Sequence, residues 1–293
     1  MSVKTILVPL SGSDTACDTI ALSSALNIAK RQSAHVDVLY VRLDPRSAAA
    51  FVGEGMTSAM IESVISMAEK DSKKRQDAAQ TLFNETCSRI DIDIDEDTPS
   101  GSRVSASARF VIRQGGREEV LLNFGRMFDL IVVCKNASDE NQGNELIINT
   151  ALLETGRPVM VVDSVLEENF GKNIAVIWNG SVESSRAISH ALPFLKEAEK
   201  VTLISAVDDL DEEINPEEAI RYLAFHGIKA DSCEIHGSSG KSTAESLINT
   251  ANNCHADFLV MGAFTRSRLR RLFFGAVTGE ILSTCKLPVL MAH

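Results

Sequence analysis

Aromatic residues are scarce in this chain, at 5% of 293 residues with a single tryptophan and two tyrosines, so the core is expected to be aliphatic. Positive charge is also in short supply. The 29 lysines and arginines face 40 aspartates and glutamates, a formal net charge of −11. Such a surface opposes the phosphate neutralisation on which non-specific DNA and RNA binding depends, and no nucleic-acid partner is expected. No apolar run approaches the roughly 20 residues that a spanning helix needs, so no membrane partner is expected either. The opening MSVKTILVP runs straight into an apparent strand and lacks the pattern of a secretory leader. A cytoplasmic protein is the resulting expectation.

Paired cysteines are missing too. Cys17, Cys87, Cys134, Cys233, Cys254 and Cys285 are scattered, with no Cys-x-x-Cys. Structural zinc would want close pairs, and a disulfide framework would want a small secreted chain. Six buried free thiols are therefore expected. The histidines show no metal-ligand spacing, and no metal site is expected.

What is present is a globular composition, with 44% hydrophobic and 24% charged residues, in a length that suits two domains. Four segments recur in order. KTILVPLSGS (4–13) returns as KNIAVIWNGS (172–181), 168 positions later, with Gly12 falling on Gly180. HVDVLYV (35–41) returns as VTLISAV (201–207), DLIVV (129–133) as DFLVM (257–261), and PVMVV (158–162) as PVLMA (288–292), at offsets of 166, 128 and 130. Four ordered matches point to duplication, with copies at 1–165 and 166–293 and a linker over Asp163–Gly171.

Within each copy short apolar runs alternate with helical spacing, the pattern of βαβ units and a parallel sheet. Ile20, Ala21, Ser24, Ala25, Ile28 and Ala29 share one helix face, as do Ala187, Ile188, Ala191, Leu192 and Leu195. The α/β class follows, as two tandem doubly wound parallel-sheet domains. Each copy is expected to form its own sheet, and a single continuous sheet would count against that layout. The first copy is longer in its middle, where Met56, Met60, Ile61, Val64, Ile65 and Ala68 begin an amphipathic stripe that continues through Ala78, Ala79, Leu82 and Phe83. The stripe covers its own sheet or serves a protein partner or self-association. Ser107–Arg113 fits a third strand or a helix.

Ligands of open parallel sheets bind beyond the carboxyl ends of the strands. After the run 257–261 comes GAFTRSRLRRLFFGAVT, residues 262–278. This segment resembles the phosphate loop of the ATP-binding universal stress proteins: Gly-x-x-Gly, nine residues, then Gly-Ser/Thr. Gly262 and Gly275 match with the spacing kept, and Val277 and Thr278 match the continuation into a helix. Thr265 stands at the second glycine and Ala276 at the Ser/Thr. The resemblance implies an adenine nucleotide alpha hydrolase-like fold, with ATP and Mg²⁺ as cofactor. Asn179 stands at the adenine-contacting aspartate, and Val207 at the strand end that offers backbone groups to adenine. Arg266, Ser267 and Arg268 lie within the loop, where arginines add charge-assisted hydrogen bonds to phosphate. Glycines there let backbone N–H groups approach phosphate oxygens at a helix start. The resemblance also implies that the two fifth strands, 158–162 and 288–292, pair across a two-fold axis.

In the first copy the same position reads CKNASDENQG (134–143), without the glycines and with Asp139 and Glu140 to repel phosphate. Ser11 replaces the aspartate. No ATP is expected there. GSSGKST (237–243) misses the Walker A spacing, because Ile235 stands where a glycine is needed. Ser242 to Glu245 reads instead as a capping box. Ser11-Gly12-Ser13-Asp14 reads as a strand-to-helix turn. No Ser-His-Asp, Cys-His or paired-carboxylate set has a readable spacing, so no catalytic residue is assigned. Three functions stay open: a stress-linked binding module with one nucleotide in the second copy, a slow ATP-hydrolysing enzyme, and a nucleotide-free interaction module.

Overall fold

A computed structural model describes residues 2–42, 57–97, 105–135, 142–206, 216–235, 242–263 and 276–293. The first half runs β1 (Thr5–Leu10), α1 (Thr15–Gln32), β2 (His35–Arg42), α2 (Ser58–Ile90), β3 (Asp93–Ile94), β4 (Ser107–Gln114), α3 (Arg117–Phe124), β5 (Leu130–Cys134), α4 (Gln142–Glu154) and β6 (Val159–Val162). The second runs β7 (Asn173–Trp178), α5 (Val182–Leu195), β8 (Lys200–Ala206), α6 (Pro216–Phe225), β9 (Ala230–Ile235), α7 (Thr243–Asn253), β10 (Phe258–Gly262), α8 (Ala276–Thr284) and β11 (Val289–Ala292). The four recurring segments fall on β1 and β7, β2 and β8, β5 and β10, and β6 and β11. Ser107–Arg113 is a strand, now bounded as β4.

The strand order is β3-β4-β2-β1-β5-β6-β11-β10-β7-β8-β9, and every pairing is parallel except β6 with β11. The expectation of two separate sheets is thus corrected: the eleven strands of the described residues form one continuous sheet. The cause is the pairing of the two fifth strands, which turns two sheet edges into a shared interior. Its register is symmetric. Met160 lies opposite Leu290, its own match in the repeat, while Val161 faces Val289 and Val159 faces Met291.

Alternation along the strands divides the core into two aliphatic layers. One joins Val8, Val38, Val132, Met160, Val176, Val260 and Leu290 to α1, α2, α5 and α6. The other joins Leu7, Leu39, Ile131, Val161, Leu259 and Met291 to α3, α4, α7 and α8. Each layer crosses the seam, so helices cover both faces in both halves, and the doubly wound arrangement holds. Ala21, Ala25 and Ala29 are buried where α1 lies on the sheet, since short side chains allow close approach. The 163–171 segment is strapped down rather than loose. Leu166 N–H donates to Ser24 Oγ at 3.0 Å, and Asn27 and Arg31 donate to the Leu166 and Phe170 carbonyls. Across the halves, Arg31 and Gln32 both bond Glu197, and Lys135 Nζ donates to the Cys285 carbonyl.

One device is used twice. The Asp129 carboxylate accepts from the Lys4 and Thr5 N–H groups at 2.8 and 3.0 Å. The Asp257 carboxylate accepts from Lys172 and Asn173 N–H at 3.0 and 3.1 Å. Each matched aspartate thereby satisfies backbone donors where the first strand of its half begins. In α2 the Met stripe divides. Ala79, Phe83 and Cys87 are buried against the sheet, whereas Met60 is 50% and Met67 68% exposed; Met56 lies outside the described residues. The expectation of six free thiols is corrected at one pair, because Cys17 and Cys134 are disulfide-bonded. A bond across 117 residues of sequence leaves no trace in local spacing.

A polar cluster is buried at the opposite, amino edge of the sheet. Asp37 takes a bidentate contact from Arg109, with both N···O distances 2.7 Å. It also lies 3.1 Å from His35 Nε2, and His35 Nδ1 is 2.8 Å from Ser107 Oγ. Burial alone would raise the Asp37 carboxyl, but the hydrogen bonds from His35 and Arg109 and the guanidinium charge hold it below the ordinary 3.8. A lowered carboxyl contributes stability that is complete above the unfolded value and lost as pH falls through the folded one. Arg109→Ala should therefore destabilise the chain by about 2–3 kcal/mol at neutral pH, since it strands a buried carboxylate beside a partly exposed partner. In urea melts the gap between variant and parent should close below pH 4; a gap independent of pH would contradict this role.

Candidate functional site

The carboxyl edge of the second half gathers three strand ends, those of β7, β8 and β10. After β7 the chain turns sharply: Gly180 has φ +71°, as its counterpart Gly12 has φ +66°. A side chain at Gly12 would meet backbone as well, since a Cβ there would lie 2.3 Å from the Arg75 carbonyl oxygen. Both turns open a helix with a cap. Asp14 accepts from Cys17 N–H in α1, and Ser181 Oγ from Ser184 N–H at 3.1 Å in α5. Ser242 likewise caps α7, accepting from Glu245 N–H at 3.0 Å, the helix start expected there.

Asn179 stands just past β7, and its Oδ1 accepts from Ser181 N–H at 3.2 Å. Gly262 ends β10, next to β7 in the sheet. A packing demand also acts on it. A Cβ at Gly262 would lie 2.5 Å from Ser184 N and 2.7 Å from the Glu183 carbonyl carbon. The missing side chain thus makes room for the first turn of α5, which occupies the side of the strand end where a Cβ would stand. Ala276, Val277 and Thr278 open α8, with Thr278 buried. Glu280 in the same helix accepts from Ser242 Oγ at 2.5 Å, joining the starts of α7 and α8. Val207, Thr265, Arg266, Ser267, Arg268 and Gly275 lie outside the described residues, as do Asp139 and Glu140 of the first half and the 237–241 segment.

Two groups at this edge were not anticipated from sequence. Trp178 Nε1 and Ser205 Oγ are buried without a hydrogen-bond partner among the described residues. They belong to residues directly opposite each other across β7 and β8. An unpaired buried donor or hydroxyl costs about 1–3 kcal/mol, which a ligand atom can relieve. The chain's only tryptophan at a strand end, next to Asn179, was a usable signal. Ser205 offered none.

The corresponding turn in the first half is self-satisfied. The buried Asp18 carboxylate accepts from Ser11 N–H at 2.9 Å, Gly12 N–H at 2.7 Å and Ser11 Oγ at 3.1 Å. Burial nevertheless pushes that carboxyl above its ordinary value. Backbone donors that could hold a phosphate there are bonded to an acid from the chain itself. Space also assembles the Ser107–His35–Asp37 chain that spacing could not reveal. Ser107 is 2% exposed and Asp37 is clamped by Arg109, so that chain serves packing at the amino edge. No group of three or more His, Cys, Asp or Glu suited to a metal occurs among the described residues, and no described helix is long and apolar enough to cross a membrane.

Residues 171–293 match the model of the universal stress protein family. A universal stress protein from Archaeoglobus fulgidus DSM 4304 superposes with TM-score 0.66 and 13% identity, covering 98% of this chain and 97% of its own. A functionally unknown protein from Pseudomonas aeruginosa PAO1 superposes with TM-score 0.54 and 20% identity, over 99% of this chain and 92% of its own. At these identities the likeness is one of fold. No curated protein matches in sequence.

The glycine contact generates a prediction that needs no ligand. Gly262→Ala should lower stability by about 1–3 kcal/mol through overpacking against α5, read as a lower urea midpoint. An unchanged midpoint would show that α5 does not press on the strand end.

Proposed function

For a chain that carries a universal stress protein domain over residues 171–293, we propose a stress-response binding protein made of two duplicated domains, 1–165 and 166–293, with one adenine-nucleotide site in the second. The observation that carries this reading is the pair Trp178 Nε1 and Ser205 Oγ, unpartnered among the described residues and set in register at the carboxyl edge beside Asn179. An adenine ring presents both acceptors and a donor, and it suits a cleft with an indole N–H, a hydroxyl and an amide. The phosphates would then run toward the 262–278 loop, where Arg266 and Arg268 supply charge and the start of α8 its positive end. Mg²⁺ would arrive with the phosphates. The first domain is assigned no nucleotide, because Asp18 already holds the donors of its turn. Its work is to complete the sheet.

The proposed fit to ATP rests on the orphaned polar atoms, while the missing side chain of Gly262 also makes room for α5. Mutating Gly262 would therefore confuse binding with folding, and the arginines are the better probes. A nucleotide-free interaction module is the second reading. It draws on Met60 and Met67, which stand exposed along one end of α2. Slow ATP hydrolysis has no residue assigned to it.

Adding millimolar ATP and Mg²⁺ to the intact chain should raise its melting temperature by a few degrees, the effect of a ligand well above its Kd. The double variant Arg266→Ala, Arg268→Ala should weaken binding at least about tenfold, since charge-assisted bonds to phosphate are lost, while leaving the ligand-free melt unchanged. No shift in the parent would favour the interaction module. A shift that the double variant keeps in full would place the nucleotide elsewhere.

A further inference from the structure

The repeat makes the first-half disulfide informative. Cys134 ends β5 at the position that Gly262 holds at the end of β10, 128 residues later. Cys17 donates its backbone N–H to the cap of α1, as Ser184 does to the cap of α5. In the second half this meeting of strand end and helix start is so close that only a glycine fits against Ser184. In the first half the same meeting is made by two sulfurs, with the Cα atoms 5.5 Å apart. That separation lies at the common value for bonded cysteines, so the backbone needs no rearrangement to close the bond.

We propose that Cys17 and Cys134 form a reversible redox site, a dithiol that hydroperoxides oxidise to a disulfide and small thiols reduce. A small cleft gives the pair its approach, although Cys17 is only 5% and Cys134 4% exposed. Both residues line a small polar cleft at the ligand edge, together with Ser11, Asp18, Arg117 and Asn144. Cys17 sits in the first turn of α1, with its N–H on the Asp14 cap and Asp18 next to it in the cleft. Asn144 Nδ2 reaches Cys17 Sγ and the Cys134 carbonyl, both at 3.2 Å. The bond state is thereby tied to α4 as well as to α1.

The chemistry balances with the hydroperoxide as oxidant. The Cys17 thiolate attacks the peroxide's outer oxygen, releasing the alcohol or, from hydrogen peroxide, water, and leaving a sulfenic acid. The Cys134 thiol displaces that hydroxyl as a second water, and the S–S bond forms. Two thiols each give up a hydrogen, and one peroxide O–O bond is broken. Reduction follows by attack of two external thiols in turn, the second leaving with the first as their own disulfide. Reduced, the two sulfurs need van der Waals separation where they now need only a bond. The end of β5 and the start of α1 must then separate or turn a side chain away. The site stands apart from the proposed nucleotide, because its test requires none.

The intact chain, fully reduced and then freed of reductant, should lose two of its six thiols on treatment with hydrogen peroxide. Peptide mapping after alkylation should place the loss at Cys17 and Cys134 as one cross-linked pair, with Cys87 and Cys285 unmodified. Millimolar dithiothreitol should restore both thiols without unfolding the chain. The oxidised form should melt at least about 4 °C higher, as expected for a bond that closes a long loop, and the Cys17→Ser, Cys134→Ser double variant should show no peroxide-dependent shift. Retention of all six thiols would overturn the proposal. So would a bond that resists dithiothreitol until the protein is denatured, the mark of a fixed cross-link. Should the double variant fold poorly, thiol counting and peptide mapping on the parent decide the matter alone.

Discussion

Four residues of β6 and four of β11 carry the architecture, because their antiparallel pairing is where two parallel sheets become one. A parallel sheet left with an open apolar edge is exposed to pairing with other chains. Here each half supplies its last strand as the cover for the other, in a register that sets Met160 against its own repeat match Leu290. Both core layers then run uninterrupted from one half to the other. The strap over 163–171 and the Arg31, Gln32 and Glu197 contacts hold the halves at their flank. Because the two partners are joined in one chain, their effective concentration is high, and a short seam suffices.

That shared frame lets the two halves diverge at one place, the meeting of a strand end with a helix start at the carboxyl edge. In the second half a glycine brings strand and helix into backbone contact, and Trp178 Nε1 and Ser205 Oγ have no partner among the described residues. In the first half an acid fills the turn and two sulfurs take the place of the glycine contact. The same meeting thus carries a glycine contact on one side and a pair of bonded sulfurs on the other. The frame itself is kept by paired devices, such as Asp129 and Asp257 beneath the first strand of each half.

Much of this was legible in the sequence where burial is two-sided. β1, β2, β5 and β6 and their matches are central strands, so both faces demand apolar residues and the runs repeat recognisably. β4 and β9 did not emerge as a match, since they lie toward the sheet margins and show alternating or exposed positions. β3, at two residues, is too short to leave a pattern. The helix start at Ser242 was within reach because capping is local. The site was less legible. Gly262 stands where the motif places it, yet its neighbour is α5, a contact between residues 78 positions apart. The disulfide, the Asp37 cluster and the pairing of Trp178 with Ser205 all depend on residues that only the folded sheet brings together.

The seam is most directly tested by native-state hydrogen exchange on the intact chain. If β6 and β11 form the interior of one sheet, the amides near Met160 and Leu290 will exchange in the slowest class, together with those of β1 and β7. Exchange at β6 and β11 as fast as at the marginal strands β3 and β9 would mean that the two edges do not stay joined in solution, and the single-sheet architecture would fail with them.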